Sequence, residues 1–372
     1  MRIELDRTAT VQSFRQLVLN TAEDHAVRGL LIMSCDGNGY TSEELNPVLA
    51  ECPVPLAGGI FPGILFGHEK LDKGTLVIAL SDEPSILTIQ GLSDPKKNYD
   101  RELDRKLDES KVTSTVFTMV DGLASRISSF INAMFINLGL EPNIFGGGAG
   151  SLSLERKPCL FTNAGMLEDS AVIVFINTPS SVSISHGWLP IKGPFKVTES
   201  ESNVIKSLDW MPAFSIYREA IRGHSGQCMT TDNFLSLTRS YPFGLSRICC
   251  AHIIRDPVKT DANGNLICVG EVREGSFVEV MHGSADSLIQ ASRSISPLQG
   301  EAKLTERSMA FMVDCISRAL FLEDRFEEEL QAIPLPEIPM AGILTFGEIA
   351  TSFRQSLEFH NKTTILAVLE EL

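Results

Sequence analysis

Long apolar runs are missing from this chain of 372 residues, and none reaches the roughly 18 residues that a membrane-spanning helix needs. The opening Met1-Arg2-Ile3-Glu4-Leu5-Asp6 alternates charge with apolar residues and lacks the hydrophobic segment of a secretory signal. No membrane partner is expected, and the expected location is cytoplasmic. Basic residues are in deficit: 32 Lys and Arg face 47 Asp and Glu, a formal net charge of −15. A surface of that sign repels a phosphate backbone, so nucleic acid is not expected as a partner. The densest basic stretch, Asp94 to Glu102, is balanced by its own acids and reads as a solvated loop entering a helix.

Reactive motifs are scarce too. Eight cysteines contain no Cys-x-x-Cys pair and are too few for a disulfide scaffold, so most are expected buried and reduced. Adjacent Cys249-Cys250 read as alternate faces of one strand. Seven histidines lack His-x-x-x-His or His-Glu-x-x-His spacing, and no metal site is expected. No Gly-x-Ser-x-Gly elbow occurs, and Cys315 has no base evident in the sequence. Enzymatic activity is therefore not expected.

What the chain does contain is a repeat. With 43% hydrophobic residues it can bury a real core, and its length suggests two domains. Three segments open with an apolar strand: Leu30 to Gly37, Val116 to Gly122 and Ala310 to Cys315. Helices are expected at 42–50, 126–138 and 323–331, followed by small-residue turns at 55–59, 144–150 and 339–342. A β-rich run closes each: Thr75 to Leu80, Ala171 to Ile176, Thr364 to Leu369. Asp36, Asp121 and Asp314 take equivalent strand-end positions, which fits a turn or cap role better than paired acid/base work.

Closing strands Ser85 to Leu92 and Ser181 to Trp188 align Gln90 with His186, and Phe277 to Gly283 resembles them, placing His282 in a position comparable to His186. A diverged fourth unit would then span Pro212 to Gly283. The expectation is an α+β fold of repeated β-α-β-β-β units in mixed, largely antiparallel sheets covered by helices, with two pseudo-repeated domains at 1–206 and 207–372.

Several motifs in order carry a resemblance: Ser185-His186-Gly187-Trp188-Leu189-Pro190, Tyr241-Pro242-Phe243-Gly244-Leu245, Ala341 to Ile349 and Phe359-His360-Asn361-Lys362-Thr363. At these residues the chain resembles the FIST family, whose members pair an N-terminal with a C-terminal FIST domain. The resemblance implies a sensory protein that binds a small ligand, with amino acids a suggested class. It leaves open a haem-containing nitric oxide sensor or a scaffold that recognises proteins. With no room for an output module, the chain would signal through a separate partner such as a histidine kinase or a cyclic-dinucleotide enzyme. Where relatives carry Phe-Ser-Cys-Ala-Gly-Arg, this chain has Val313-Asp314-Cys315-Ile316-Ser317-Arg318, keeping only Cys315 and Arg318 of the last four.

Candidate ligand-binding residues follow. Cys315, Arg318, Gly347, Glu348, His360 and Asn361 bring together a guanidinium, a carboxylate and an amide that suit a zwitterion; alternatively Arg318 and Glu348 form a structural ion pair. Gly146-Gly147-Gly148 offers backbone to a ligand or a tight packing turn, and lacks the Lys-Ser/Thr of a phosphate loop. Haem, if bound, would use His186 or His282 as a non-covalent axial ligand.

Overall fold

The computed structural model describes residues 2–107, 113–230, 233–247, 251–296, 304–305, 307–335, 338–352 and 356–370. Cys249 and Cys250 lie outside them. The first unit comprises β1 (Arg2–Asp6), α1 (Val11–Ala22), β2 (Gly29–Cys35), α2 (Ser42–Glu51), β3 (Leu56–Phe61), the hairpin β4 (Gly63–Phe66) and β5 (Glu69–Leu71), β6 (Thr75–Leu80) and β7 (Ser85–Gln90). Capping boxes at Thr10/Ser13 and Thr41/Glu44 start its helices by satisfying backbone N–H groups that have no intrahelical acceptor. The second unit repeats the order after α3 (Tyr99–Lys106): β8 (Thr115–Asp121), α4 (Ile127–Leu138), β9 (Asn143–Ala149), β10 (Leu160–Thr162), β11 (Gly165–Leu167), β12 (Ser170–Ile176) and β13 (Ser180–Ser185).

An inserted segment follows, made of β14 (Leu189–Glu201), β15 (Val204–Leu208), β16 (Met211–Pro212), α5 (Ala213–Ser225), α6 (Phe234–Thr238), β17 (Phe243–Leu245), β18 (Ile253–Thr260), β19 (Leu266–Val269) and β20 (Phe277–His282). The third unit then runs through α7 (Ala285–Arg293), β21 (Met309–Cys315), α8 (Ile316–Leu322), α9 (Phe326–Ala332), β22 (Met340–Thr345), β23 (Glu348–Ser352), β24 (Ser356–His360) and β25 (Thr364–Leu369). The class is α+β with mixed sheets.

The units exchange strands. Their sheets run β1-β6-β2-β3-β10-β11, β7-β12-β8-β9-β23-β24 and β13-β25-β21-β22-β4-β5. Each holds three strands of its own unit, a hairpin from the next unit and, at the far edge, a closing strand from the previous one. In the first sheet that edge is β1, which stands where a closing strand of the third unit would fall. Among the described residues only the helix-crossed pairs β2/β3, β8/β9 and β21/β22 are parallel, because a crossover helix returns the chain in the same direction.

β2, β8 and β21 are buried on both faces, which is why they read as unbroken apolar runs. Leu31, Met33, Phe117, Met119, Phe311 and Val313 face one core shared by all three sheets. There Phe117 lies 5.2 Å from both Phe145 and Phe311, ring centre to ring centre. The alternate residues face the helices, Leu30 and Ile32 towards α1 and α2, Ala310 and Met312 towards α8 and α9.

Several expectations change. The segment from Pro212 to Gly283 is not a fourth unit: its strands join the sheet β14-β20-β17-β18-β19-β15-β16, whose pairs are all antiparallel and whose core is its own. His282 therefore ends a strand of a different sheet and is not the counterpart of His186. Register pairs Ile89 with Ala171, itself opposite Val120, and Ser185 with Thr364, itself opposite Asp314, so Ser185 corresponds to Ile89 and His186 keeps its expected correspondence with Gln90. Ser34 pairs with Thr75 as Asp314 pairs with Thr364, so Ser34 holds the place expected for Asp36. The small-residue turns are strands β3, β9 and β22, running beside β2, β8 and β21. A Cβ at Gly146 would stand 1.8 Å from the Thr118 carbonyl oxygen, so that glycine is required by the close approach of two strands.

Candidate functional site

The quoted motifs converge on one buried junction. Arg318, on the first turn of α8, is fully buried. It donates to the carbonyls of His186 and Lys362 and to the Glu329 carboxylate, and its Nε lies 3.2 Å from Asp314 Oδ1. Asp314 also accepts from the Thr364 hydroxyl at 3.0 Å and the Cys315 N–H at 2.9 Å. Burial, then the Glu329 charge, holds the Asp314 carboxyl well above the usual carboxylate range. Glu348 is buried as well, accepting from the Thr345 hydroxyl at 3.0 Å and the Thr363 N–H at 3.3 Å. Burial and the Asp314 charge push it up too.

Arg318 thus pairs with Asp314 and Glu329, and no ion pair joins it to Glu348 among the described residues. Cys315 sits between these groups with its thiol pushed up by burial and by Glu348, which makes it a poor nucleophile. Gly147 is the register partner of Glu348, and Gly146 that of Ile349. The Gly148 N–H donates to the Gly347 carbonyl and its own carbonyl accepts from Phe346, so this backbone is engaged in sheet pairing. Gly347 has φ +93 at the turn into β23, and a Cβ there would collide with the Phe359 ring.

His360 and Asn361 are 4% and 3% exposed, and His360 Nε2 and Asn361 Oδ1 have no hydrogen-bond partner among the described residues. Burial, followed by the Arg255 charge, pushes His360 down to about 3. Lys362, with φ +50, is pinned to the inserted sheet: its ammonium is 3.2 Å from Asp256, donates to the Arg239 carbonyl and lies over the Trp188 ring. The Trp188 indole N–H returns a bond to the Lys362 carbonyl at 2.9 Å.

Beside this junction a cleft of about 400 Å³ opens between α4, β24 and the inserted sheet. Ile131, Phe135, Leu245, Ile253, Leu357 and Phe359 form apolar walls, and Arg247, Arg255, Arg273, Glu271 and Glu358 bring charge. Arg247 pairs with Glu358. Arg255 is 4% exposed and donates only to the carbonyls of Glu271, Ile254 and Phe359, at 2.9, 3.0 and 2.9 Å. No carboxylate reaches ion-pairing distance of it among the described residues, and burial pushes its guanidinium down to about 10.

Residues 29–211 match the model of the FIST N domain and residues 213–351 that of the FIST C domain. This chain belongs to the FIST family. No curated protein matches it. FIST domains are associated with sensory signal transduction and are not known as catalytic domains. Three of the four sheets of this FIST protein combine strands from before and after Lys206.

Haem, found in some FIST relatives, needs an axial nitrogen open to an apolar pocket. His186 is half-buried with Nδ1 accepting from the Trp188 N–H, and burial and the Arg318 cation push it down to about 4. Neither His186 nor His282 lines the Arg255 cleft. Neither therefore offers haem iron a nitrogen facing the apolar walls of that cleft. Arg255 was missed because one arginine in Ile253-Ile254-Arg255-Asp256 carries no motif; its position amid apolar β-branched residues was the available signal. No helix among the described residues is long and apolar enough to cross a membrane.

Proposed function

We propose that this FIST chain is a sensory module that holds a small amino-acid-like zwitterion in the Arg255 cleft and reports occupancy to a separate signalling protein, without catalysing a reaction. The observation that carries this is a buried guanidinium lining a cleft with no carboxylate at ion-pairing distance among the described residues. An ion removed from water costs several kcal/mol unless a counter-charge answers it. Backbone carbonyls answer only in part, and a ligand carboxylate paired with Arg255 supplies the rest. Glu271 offers an acceptor to an ammonium group, and the apolar walls accept a side chain. The Arg318 cluster, earlier the candidate for ligand contact, then supports the cleft through Lys362 and the end of β24.

Thermal unfolding with each amino acid in turn tests this. At least one is expected to stabilise the protein, by about 2.7 kcal/mol when present at 100 times its Kd. Arg255→Met is expected to remove that shift. Stabilisation by none of them, or an unchanged shift in the variant, rejects the reading.

A protein-recognition role has an observation of its own. Trp210, Met211 and Phe277 are 82%, 53% and 48% exposed, and Lys196 joins them, pairing with Phe277 and bonding to Asp209. Exposed aromatics in one patch suit a protein partner; a histidine kinase or a cyclic-dinucleotide enzyme is the class of partner proposed. Trp210→Ala is expected to weaken binding to such a partner at least ten-fold by titration calorimetry, with amino-acid binding unchanged.

A further inference from the structure

We propose that His224 and His282 form a two-imidazole site for a divalent transition cation of the Cu(II), Ni(II) or Zn(II) class. The pair lies in the inserted segment, outside the lining of the Arg255 cleft, and the proposal does not depend on that ligand. His224 lies in the last turn of α5, and His282 ends β20. Their ring centres are 4.7 Å apart, with planes inclined by 45°.

The spacing suits a shared ion. With a metal–nitrogen bond of about 2.0–2.1 Å, an imidazole centre lies about 3.2 Å from the metal, so two rings subtending about 90–110° have centres about 4.5–5.2 Å apart. The observed separation falls within that interval.

The unused nitrogens are the second argument. His224 Nδ1 is 3.0 Å from the Tyr241 hydroxyl oxygen. With Nδ1–H donating there, the Nε2 lone pair is free, and the phenol supplies the orienting contact that a metal-bound histidine makes through its other nitrogen. Neither nitrogen of His282 bonds to any group among the described residues, although the ring is half-buried and only 4.9 Å from that of Tyr241.

His224 also lines a cleft of about 520 Å³ between α5 and β14, which gives water ligands room. No group of three or more His, Cys, Asp or Glu side chains is assembled for a metal among the described residues. Binding is therefore weaker than in a structural zinc site with four protein ligands. Sequence spacing missed the pair because its members lie 58 positions apart, on a helix and on a strand.

Titration of the full, tag-free chain with Cu(II) chloride, followed by calorimetry and electron paramagnetic resonance, provides the test. One equivalent is expected to bind, with hyperfine structure from two imidazole nitrogens. His224→Ala and His282→Ala are each expected to weaken binding at least ten-fold, and Tyr241→Phe by less at the same stoichiometry. Both histidines are solvent-accessible, so metal-free melting curves of the variants serve as folding controls. Absence of saturable binding overturns the proposal. So does wild-type affinity in either histidine variant, or a two-nitrogen signal surviving in the double variant.

Discussion

Single residues in this FIST protein are governed by how burial treats charge. His360 is held neutral, its pKa near 3 against about 6.5 when unfolded. The unfolded chain therefore takes up a proton below pH 6.5 that the folded one refuses, and stability falls as pH drops from there towards 3. The loss is about 1.4 kcal/mol per unit at most. Urea unfolding at pH 6.5 and 4.5 is expected to show a decline of up to about 2–3 kcal/mol attributable to His360, and His360→Asn is expected to flatten it.

Glu348 runs in the opposite direction. Its folded pKa is raised, so its contribution is complete below the ordinary carboxylate range and is lost as pH rises above it. Glu348→Gln, which keeps the shape and can accept from the Thr363 N–H with its oxygen and donate to the Thr345 hydroxyl with its amide nitrogen, is expected to lose less stability between pH 5 and pH 8 than the wild type. Equal slopes in the two proteins would show that Glu348 is not held protonated.

At the scale of elements, helices and central strands were legible because amphipathic spacing and continuous apolar runs are local signals. Strand β9 was not. Asn143–Ala149 looks like a turn because three glycines lie in a row, and the reason is close approach by distant residues, Thr118 at Gly146, Thr345 at Gly147 and Phe346 at Gly148, contacts absent from local sequence. Gly146→Ala is expected to cost at least about 3 kcal/mol, since backbone on both sides must move. A melting temperature within a few degrees of wild type would refute that. The hairpins were also hidden, because β4–β5, β10–β11 and β23–β24 complete sheets of units other than their own.

For the whole molecule, exchange of strands makes the three units depend on one another. Residues 1–206 alone lack β23 and β24, which cover the edge of β9, and leave β4–β5 and β13 without the strands they pair with. Open edges recruit other chains. That fragment is expected to elute as an aggregate in size-exclusion chromatography, whereas the full chain elutes as a defined species. A monodisperse fragment would favour the proposed division at Lys206/Ser207 as a boundary between independently folding domains.

By itself the sequence determined the family, the α+β class, the repeated order of strand and helix and the poverty of catalytic motifs, because these rest on local pattern and motif order. Only the tertiary structure decided which unit completes which sheet, that Arg318 answers to Asp314 and Glu329, and that Arg255 lines a cleft with no carboxylate at ion-pairing distance among the described residues. Those outcomes depend on groups distant in sequence sharing a space closed to water, where the balance of charges is set by neighbours that no spacing rule names.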